Sequence, residues 1–281
     1  MNKMLYNQTI MDRSRLIDIE DRGYQFGDGV YEVIGVYDGD FFLLDDHLRR
    51  LKRSAEAIQM MLPCPIDTLK DNLKQLVTMN QLKEGVVYLQ ISRGVAERWH
   101  QYPSNVSPVL VAYTKVEETM KEEAKNGAKA IITEDIRWLR CDIKTLNLLP
   151  NVMAKQKAVE NNAVEAILHR EGIITEASAS NVFIVKDNCV MTHPANHFIL
   201  NGITRMKILE LCYETGIPVR ECAFTIDDLR MADEVFISAT KLDIVPIVFV
   251  NDHKIGTGDP GEITREIINC FAAAIQDLSE R

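Results

Sequence analysis

Apolar positions in the first third of the chain recur with two different periods, which predicts a small domain of both strands and helices. Alternation of apolar and polar residues, or a short continuous apolar run, is typical of a strand, whereas spacing of three and four residues is typical of an amphipathic helix. These patterns predict strands at 31–37, 41–43, 86–91 and 109–113, a helix that begins at Asp45 or Asp46, and a second helix around 69–80. Asp38-Gly39, between the first two strands, is a typical hairpin turn.

A highly charged segment separates this region from the rest of the chain. It lacks a clear apolar face and ends at Gly127, so we expect a first domain at 1–117, a linker at 118–126 and a second, larger domain at 127–281. The same periodicities predict strands at 130–133, 166–169, 182–185 and 235–239 and helices near 151–160 and 204–215. The last helix is predicted to open at Asp259-Pro260 with a capping box and to bury Ile263, Ile267, Phe271 and Ile275.

Length, charge and cysteine content narrow the class of protein. A chain of 281 residues is long enough for two domains, and 32 basic against 41 acidic residues give a net charge of -9, which argues against nonspecific binding to nucleic acid. The six cysteines form no Cys-x-x-Cys pair, so we interpret them as reduced core residues and expect no metal site. The N-terminus lacks the apolar region of a signal peptide and no apolar run is long enough to span a membrane, so we expect a cytoplasmic protein without a membrane partner.

One lysine and one acid stand out by their surroundings. Lys144 lies in residues 141–151 (CDIKTLNLLPN) among apolar residues, and Glu176 precedes the small residues 177–180 (ASAS). An apolar setting favours the neutral amine that attacks a carbonyl, and a carboxylate can keep the ring nitrogen of pyridoxal phosphate protonated as an electron sink. Lys144 and Glu176 fit these two roles. The alternatives are a solvated surface lysine and an acid that closes the turn at 170–172.

The amino-acid sequences and the order of these two segments resemble those of the fold-type IV pyridoxal phosphate enzymes, and among them the D-amino-acid aminotransferases. The similarity extends along nearly the whole chain. The resemblance implies an α+β, two-domain fold, with a small N-terminal α+β lobe and a larger C-terminal lobe built around a β-barrel-like sheet. It also implies that Lys144 forms an imine with pyridoxal 5'-phosphate, that Glu176 pairs with the pyridine nitrogen, and that Leu200 packs behind the ring.

The phosphate of such a cofactor needs donors, and residues 201–205 offer them. A glycine leads into a helix here, so the amides of Ile203 and Thr204 and the Thr204 hydroxyl could hold a dianion, although a plain helix start is the alternative. The resemblance adds Thr240 as a second phosphate-binding hydroxyl. It also adds Arg50 as a phosphate-binding arginine, whose alternative is one more cation on the solvated face at 49–53.

Substrate recognition is predicted in residues 93–103, which contain Arg98 and His100. The resemblance implies that this pair binds the α-carboxylate of the substrate after being lent across the interface of a homodimer with shared active sites, where it acts beside Tyr31 of the other subunit. An arginine suits a carboxylate because it presents paired donors in one plane. The alternative for Tyr31 is an ordinary half-buried strand aromatic.

The predicted function is transamination between D-amino acids such as D-alanine and the 2-oxo acids 2-oxoglutarate or pyruvate, giving D-glutamate or D-alanine. A branched-chain L-amino-acid aminotransferase and an aminodeoxychorismate lyase of the same fold are the alternatives, and a pyridoxal phosphate-binding protein without catalysis is a third. The Arg98-x-His100 pair favours the D-specific group, because it matches that group alone.

Overall fold

The computed structural model describes residues 2–13, 17–116 and 126–279, which form two compact units. The described residues up to 116 form the first unit together with Ile143–Asn147 and 278–279, and the second unit contains 126–142 and 148–277. Residues 143–147 thus depart from the expected single boundary, because Thr145 pairs with Val30 and Ile143 is part of the first unit's core. The expected linker at 118–126 lies almost wholly outside the described residues, so its position stays a prediction.

The first unit is a six-stranded antiparallel sheet with helices packed on it, in the order β2-β1-β6-β5-β3-β4. Its strands are β1 Lys3–Tyr6, β2 Thr9–Asp12, β3 Gly29–Tyr37, β4 Asp40–Phe41, β5 Gly85–Ser92 and β6 Val109–Lys115. Its helices are α1 Arg22–Phe26, α2 Leu44–Ala57 and α3 Ile66–Asn80. Leucines of α2 and α3 and apolar residues of the strands form one buried cluster.

The predicted elements of this unit are found, with small shifts at their ends. Asp38 and Gly39 have φ of 47° and 88° and join β3 to β4, which confirms the hairpin. Helix α2 begins at Leu44, one or two residues before the predicted start at Asp45 or Asp46. Strands β1 and β2 and the five-residue helix α1 were not predicted, because elements this short show too few repeats of their period.

The second unit contains a nine-stranded mixed sheet. Eight strands follow the order β12-β11-β10-β13-β14-β7-β8-β9, and β15 pairs with β14. Its strands are β7 Ala128–Glu134, β8 Glu165–Arg170, β9 Ile173–Ala177, β10 Asn181–Lys186, β11 Cys189–Thr192, β12 Val219–Glu221, β13 Glu234–Ala239, β14 Asp243–Val250 and β15 His253–Lys254. Its helices are α4 Leu149–Glu160, α5 Ile203–Thr215, α6 Ile226–Arg230 and α7 Glu262–Ser279. Strand β9, at one end of the sheet path, lies against β10, so the sheet curls on itself as the barrel-like prediction requires.

The start of the last helix differs from the prediction. Helix α7 begins at Glu262, and the carboxylate of Glu234 accepts hydrogen bonds from the amides of Ile263 and Thr264 at 3.1 and 2.7 Å. The predicted capping box at Asp259 is therefore wrong, because an acid from β13 takes its place. Ile267 and Phe271 are buried as predicted. Ile263 and Ile275 are only half-buried.

All six cysteines are free, and three of them, Cys64, Cys141 and Cys212, are buried. The other three are half-buried, so the interpretation as core residues holds for half of them. Among the described residues, no helix combines the length and the apolar composition that a membrane crossing requires.

Candidate active site

The backbone around Lys144 is fixed to the first unit on both sides. The amide of Tyr31 donates to the Lys144 carbonyl at 3.0 Å, and the Lys144 amide donates to Ser54 Oγ at 3.3 Å. The Lys144 Nζ lies 4.3 Å from the centroid of the Tyr31 ring, which itself stacks on Tyr88 at 5.9 Å. The structure therefore brings two predicted site residues together and places the amine on the face of an aromatic ring.

The apolar surroundings expected for Lys144 are only partly present. Ile143 is buried, and Leu146 and Leu148 are half-buried, but Leu149 is 71% exposed at the start of helix α4. The prediction that Leu149 contributes to apolar surroundings of Lys144 was wrong. Leu149 lies in the first turn of a helix, where a residue can face solvent whatever its neighbours in the sequence are. Lys144 is half-buried, so the surface-lysine alternative is not favoured.

Arg50 belongs to a buried charged cluster with Glu32 and His47. Its Nε and Nη2 each donate to a Glu32 oxygen at 2.7 Å, and a ring nitrogen of His47 lies 2.8 Å from Glu32 Oε2. Arg50 is 7% exposed, whereas Arg49, Lys52 and Arg53 face solvent, so the solvated-face alternative is wrong for Arg50 alone. The phosphate-binding role of Arg50 stays a prediction.

In this cluster the pKa values of Glu32 and His47 are both lowered, which favours the charged glutamate and the neutral histidine. Burial opposes ionisation of Glu32, but the Arg50 guanidinium and His47 outweigh it and lower the pKa of Glu32 to about 2. Burial also lowers the pKa of His47, which favours the neutral imidazole even though Glu32 opposes this shift. A neutral histidine and an ionised glutamate therefore fix the orientation of the Arg50 guanidinium.

We expect this cluster to make the fold sensitive to acid. The pKa of Glu32 is lower in the folded chain than its ordinary value of 4.5, so its stabilisation is fully present above pH 4.5 and is lost as the pH falls toward 2. At about 1.4 kcal/mol per pKa unit, this one group accounts for roughly 3 kcal/mol. The measurement is the urea midpoint between pH 2 and pH 6 for the wild type and for Glu32→Gln. An equally steep acid loss in Glu32→Gln would contradict the assignment.

Arg98 and His100 lie in an exposed segment of the first unit and share one aromatic partner. The Arg98 Cζ lies 4.9 Å from the centroid of the Phe26 ring, and the His100 ring centroid lies 5.7 Å from it. Both side chains are exposed in this single chain. The structure therefore places both predicted carboxylate-binding side chains against the Phe26 ring of helix α1.

Glu176 lies in the second unit and is surrounded by hydrogen-bond donors. Arg137 Nη1 lies 2.5 Å from Oε1, Asn181 Nδ2 donates to Oε2 at 3.1 Å, and the Leu200 amide donates to both oxygens at 3.1 to 3.2 Å. Glu176 is 5% exposed in strand β9, away from the turn at 171–172. The alternative that it closes this turn is therefore wrong, and Leu200 is placed beside it.

Two residues of this network, Arg137 and Asn181, were missed by sequence reasoning. Arg137 also donates to Asp135, and burial of Asp135 is outweighed by Arg137 and Arg170, which lower its pKa to about 2. Burial raises the pKa of the Glu176 carboxyl, while Arg137 opposes that shift. The three donors around its oxygens stabilise the ionised form. No local pattern indicated these partners, because Arg137 lies 39 positions from Glu176.

The start of helix α5 fits a phosphate. Its N-cap is Gly202, and among the described residues no side chain caps its first turn, so amides such as those of Ile203 and Thr204 are not claimed by a capping side chain. Ser238, which pairs with Asn181 across β10 and β13, has a buried hydroxyl without a hydrogen-bond partner in the described part of the chain. A buried unpaired hydroxyl is costly, so a ligand oxygen here would satisfy it. Sequence reasoning missed Ser238.

The other predicted phosphate residues differ in burial. Thr204 is 6% exposed in the first turn of α5, and Thr240 is half-buried directly after β13. Arg205 is almost fully buried and donates to the His193 carbonyl and to Glu221. It adds a positive charge close to the helix start. Within the described ranges, no group of three or more His, Cys, Asp or Glu side chains could hold a metal ion.

The chain matches the family model described as amino-transferase class IV over residues 29–250. It is 50% identical to a D-alanine aminotransferase of Bacillus licheniformis over 279 residues, covering 99% of this chain and 98% of that protein. It is 44% identical to a D-alanine aminotransferase of Staphylococcus aureus, covering 99% of this chain and all of that protein. A Listeria innocua protein of the same name is 47% identical, with coverage of 97% and 96%.

Solved structures of similar fold include two branched-chain amino acid aminotransferases. The Escherichia coli enzyme superposes with a TM-score of 0.92 at 25% identity, covering 97% of this chain and 94% of that one. A T.th. enzyme, solved with pyridoxamine 5'-phosphate, superposes with a TM-score of 0.90 at 24% identity, covering 98% and 94%. These likenesses confirm the fold-type IV architecture. The much higher identity to the D-alanine aminotransferases argues against the branched-chain alternative.

Proposed function

This chain belongs to the amino-transferase class IV family, and we propose that it catalyses pyridoxal phosphate-dependent transamination between D-amino acids and 2-oxo acids. D-Alanine and 2-oxoglutarate give pyruvate and D-glutamate, and the reverse reaction forms D-alanine. The observation that carries this proposal is identity of 50% along almost the whole chain to a D-alanine aminotransferase. No comparable sequence identity favours a lyase or a noncatalytic binding protein.

The residues proposed to bind the cofactor have separate tasks. When bound, pyridoxal phosphate supplies an electron sink for negative charge at the substrate Cα. Lys144 would hold the cofactor through its side-chain amine, and the same amine would take up the proton from the substrate Cα. Glu176 keeps the ring nitrogen protonated, supported by its buried, donor-rich setting. Leu200 packs behind the ring in this assignment.

The phosphate is assigned to the first turn of helix α5 and to nearby hydroxyls. The amides of Ile203 and Thr204 donate to it, together with the hydroxyls of Thr204 and Thr240. The uncapped start of α5 and the unpaired Ser238 hydroxyl in its neighbourhood support this assignment. Arg50 contributes charge, and its fork with Glu32 keeps the guanidinium in one orientation.

The substrate carboxylate is assigned to Arg98 and His100, beside Tyr31 of a second subunit. Support for a homodimer comes from the large apolar side chains exposed around this pair, among them Trp99 at 61% and Tyr102 at 50%. Exposed aromatic residues next to a binding arginine are typical of a protein interface. The six free cysteines fit a reducing compartment, which supports a cytoplasmic location.

The hand of the substrate follows from where the carboxylate is held. The Cα proton must point at the Lys144 amine for transfer, so exchanging enantiomers exchanges the carboxylate and the side chain. A carboxylate site on one side therefore accepts one hand. We expect turnover of D-alanine with 2-oxoglutarate, and poor turnover of L-alanine and L-leucine.

The corresponding measurement is pyruvate release from each enantiomer of alanine, with chiral analysis of the glutamate formed. Arg98→Ala should raise the KM for D-alanine roughly 10- to 100-fold, since a charge-assisted hydrogen bond is lost. Arg49→Ala, an exposed arginine of helix α2, is the matched control and should leave KM unchanged. Faster turnover of L-leucine than of D-alanine would favour the branched-chain alternative.

A further inference from the structure

A buried arginine, Arg22, holds the exposed segment that carries Arg98 and His100. Its side chain is 3% exposed, and its Nη1 donates to the Trp99 carbonyl at 2.6 Å. Its Nη2 lies 3.5 Å from the His100 carbonyl, at the limit of a hydrogen bond. One guanidinium thus reaches the main chain on both sides of the bond between residues 99 and 100.

Helix α1 supplies a second contact through Phe26. The Cζ atoms of Arg22 and Arg98 lie 4.8 and 4.9 Å from the centroid of this ring, and the His100 ring contacts it as well. A cation over an aromatic face contributes about 0.5–1 kcal/mol at an exposed site. Phe26 therefore contacts both side chains of the carboxylate-binding pair, while Arg22 binds the backbone between them.

Asp28 keeps Arg22 in place. Its carboxylate pairs with Arg22 and Arg93 and so does not compete with a substrate for Arg98. Its Oδ2 accepts hydrogen bonds from Arg22 Nε and Arg93 Nε, both at 2.8 Å. The Arg93 Cζ in turn lies 3.6 Å from the centroid of the Tyr102 ring, at the other end of the segment. Among the described residues, no carboxylate pairs with Arg98. The Asp28 carboxylate is therefore engaged by Arg22 and Arg93, away from Arg98.

We propose that Arg22 is a positioning residue for substrate recognition, which holds Arg98 and His100 in the orientation that binds the substrate carboxylate. This inference rests on the proposed function. The physical reason is that residues 97–102 lie in no helix or strand, so without an anchor they would sample many backbone conformations. Anchoring two successive carbonyls removes most of that freedom before the substrate arrives, which lowers the entropic cost of binding.

The test is a double-mutant cycle of Arg22→Gln and Arg98→Gln in the holoenzyme. Arg22→Gln should raise the KM for D-alanine about tenfold, equivalent to about 1.4 kcal/mol, while kcat stays within about twofold of wild type. In the Arg98→Gln background, the same change should alter KM by less than about twofold, because the group being positioned is already gone. Arg49→Gln serves as the matched control.

The outcomes separate this inference from the proposed function. If Arg98→Gln raises KM but Arg22→Gln does not, or if the two effects are additive, the positioning role is wrong while the carboxylate assignment stands. If Arg98→Gln leaves KM unchanged, the carboxylate assignment is wrong and the positioning role falls with it. A general loss of structure would lower kcat and the unfolding midpoint together, so both are measured.

If Arg22→Gln does not fold, a second variant, Phe26→Leu, still tests the inference. Phe26→Leu retains apolar volume and removes only the ring beneath Arg98 and His100. It should raise KM severalfold with little change in kcat, since the aromatic contact contributes about 0.5–1 kcal/mol. An unchanged KM in Phe26→Leu would overturn the inference.

Discussion

Replacing Lys144 by alanine is expected to reduce transamination by about 10⁴-fold, the upper end of what one positioned proton-transfer group contributes. The reason is that one amine serves both as the covalent anchor of the cofactor and as the carrier of the Cα proton. The structure supports this choice, since the Lys144 backbone is fixed by Tyr31 and Ser54 and its amine lies over the Tyr31 ring. The measurement is the turnover of D-alanine with 2-oxoglutarate at saturating cofactor.

A control variant and a chemical labelling experiment check the assignment of Lys144. Lys157→Ala, on the exposed side of helix α4, should behave as wild type. Borohydride reduction of the holoenzyme should fix the cofactor on the peptide that contains Lys144. Recovery of the label on another lysine peptide, or substantial turnover by Lys144→Ala, would contradict the assignment.

Replacing Glu176 by glutamine is expected to be the second most damaging single change. Glutamine has nearly the same shape but no charge, so it cannot keep the ring nitrogen protonated. Its amide nitrogen also places a donor against Arg137 or Asn181, both of which already donate to Glu176. We expect kcat to fall roughly 10²- to 10³-fold, which corresponds to about 3–4 kcal/mol of barrier.

The measurement compares kcat and the absorption of the bound cofactor in wild type and Glu176→Gln. Glu171→Gln, in the exposed turn between β8 and β9, is the control and should be neutral. Full activity in Glu176→Gln would mean that the acid serves only to hold Arg137. A lower cofactor affinity with unchanged kcat would likewise assign it to binding alone.

Much of the fold followed from local pattern. The Asp38-Gly39 hairpin, helices α2 and α3 and strands such as β5 and β13 lie where periodicity predicted them. The physical reason is that a strand or helix that buries one face must repeat its apolar residues every two or about 3.6 positions, and this spacing is visible in the sequence. The candidate roles of Lys144 and Glu176 came mainly from the resemblance to a family, because their neighbours in the sequence alone also allowed a surface lysine and a turn acid.

Other features were decided only when distant residues met. Arg49 and Arg50 are neighbours in one charged run, yet only Arg50 is buried, because Glu32 lies 18 positions earlier on the strand that α2 packs against. The cap of helix α7 comes from Glu234, about 30 positions before it. Local patterns carry no information about such partners.

The sequence by itself thus determined the longer elements of the two units, and it singled out the lysine and the acid that we propose for the chemistry. The tertiary structure decided what surrounds them. Arg137 and Asn181 hold Glu176, Tyr31 and Ser54 hold Lys144, and Arg22 holds the segment with Arg98. The division arises because periodicity is a property of neighbours along the chain, whereas the orientation of a charged side chain depends on donors and acceptors that only folding brings within about 3 Å.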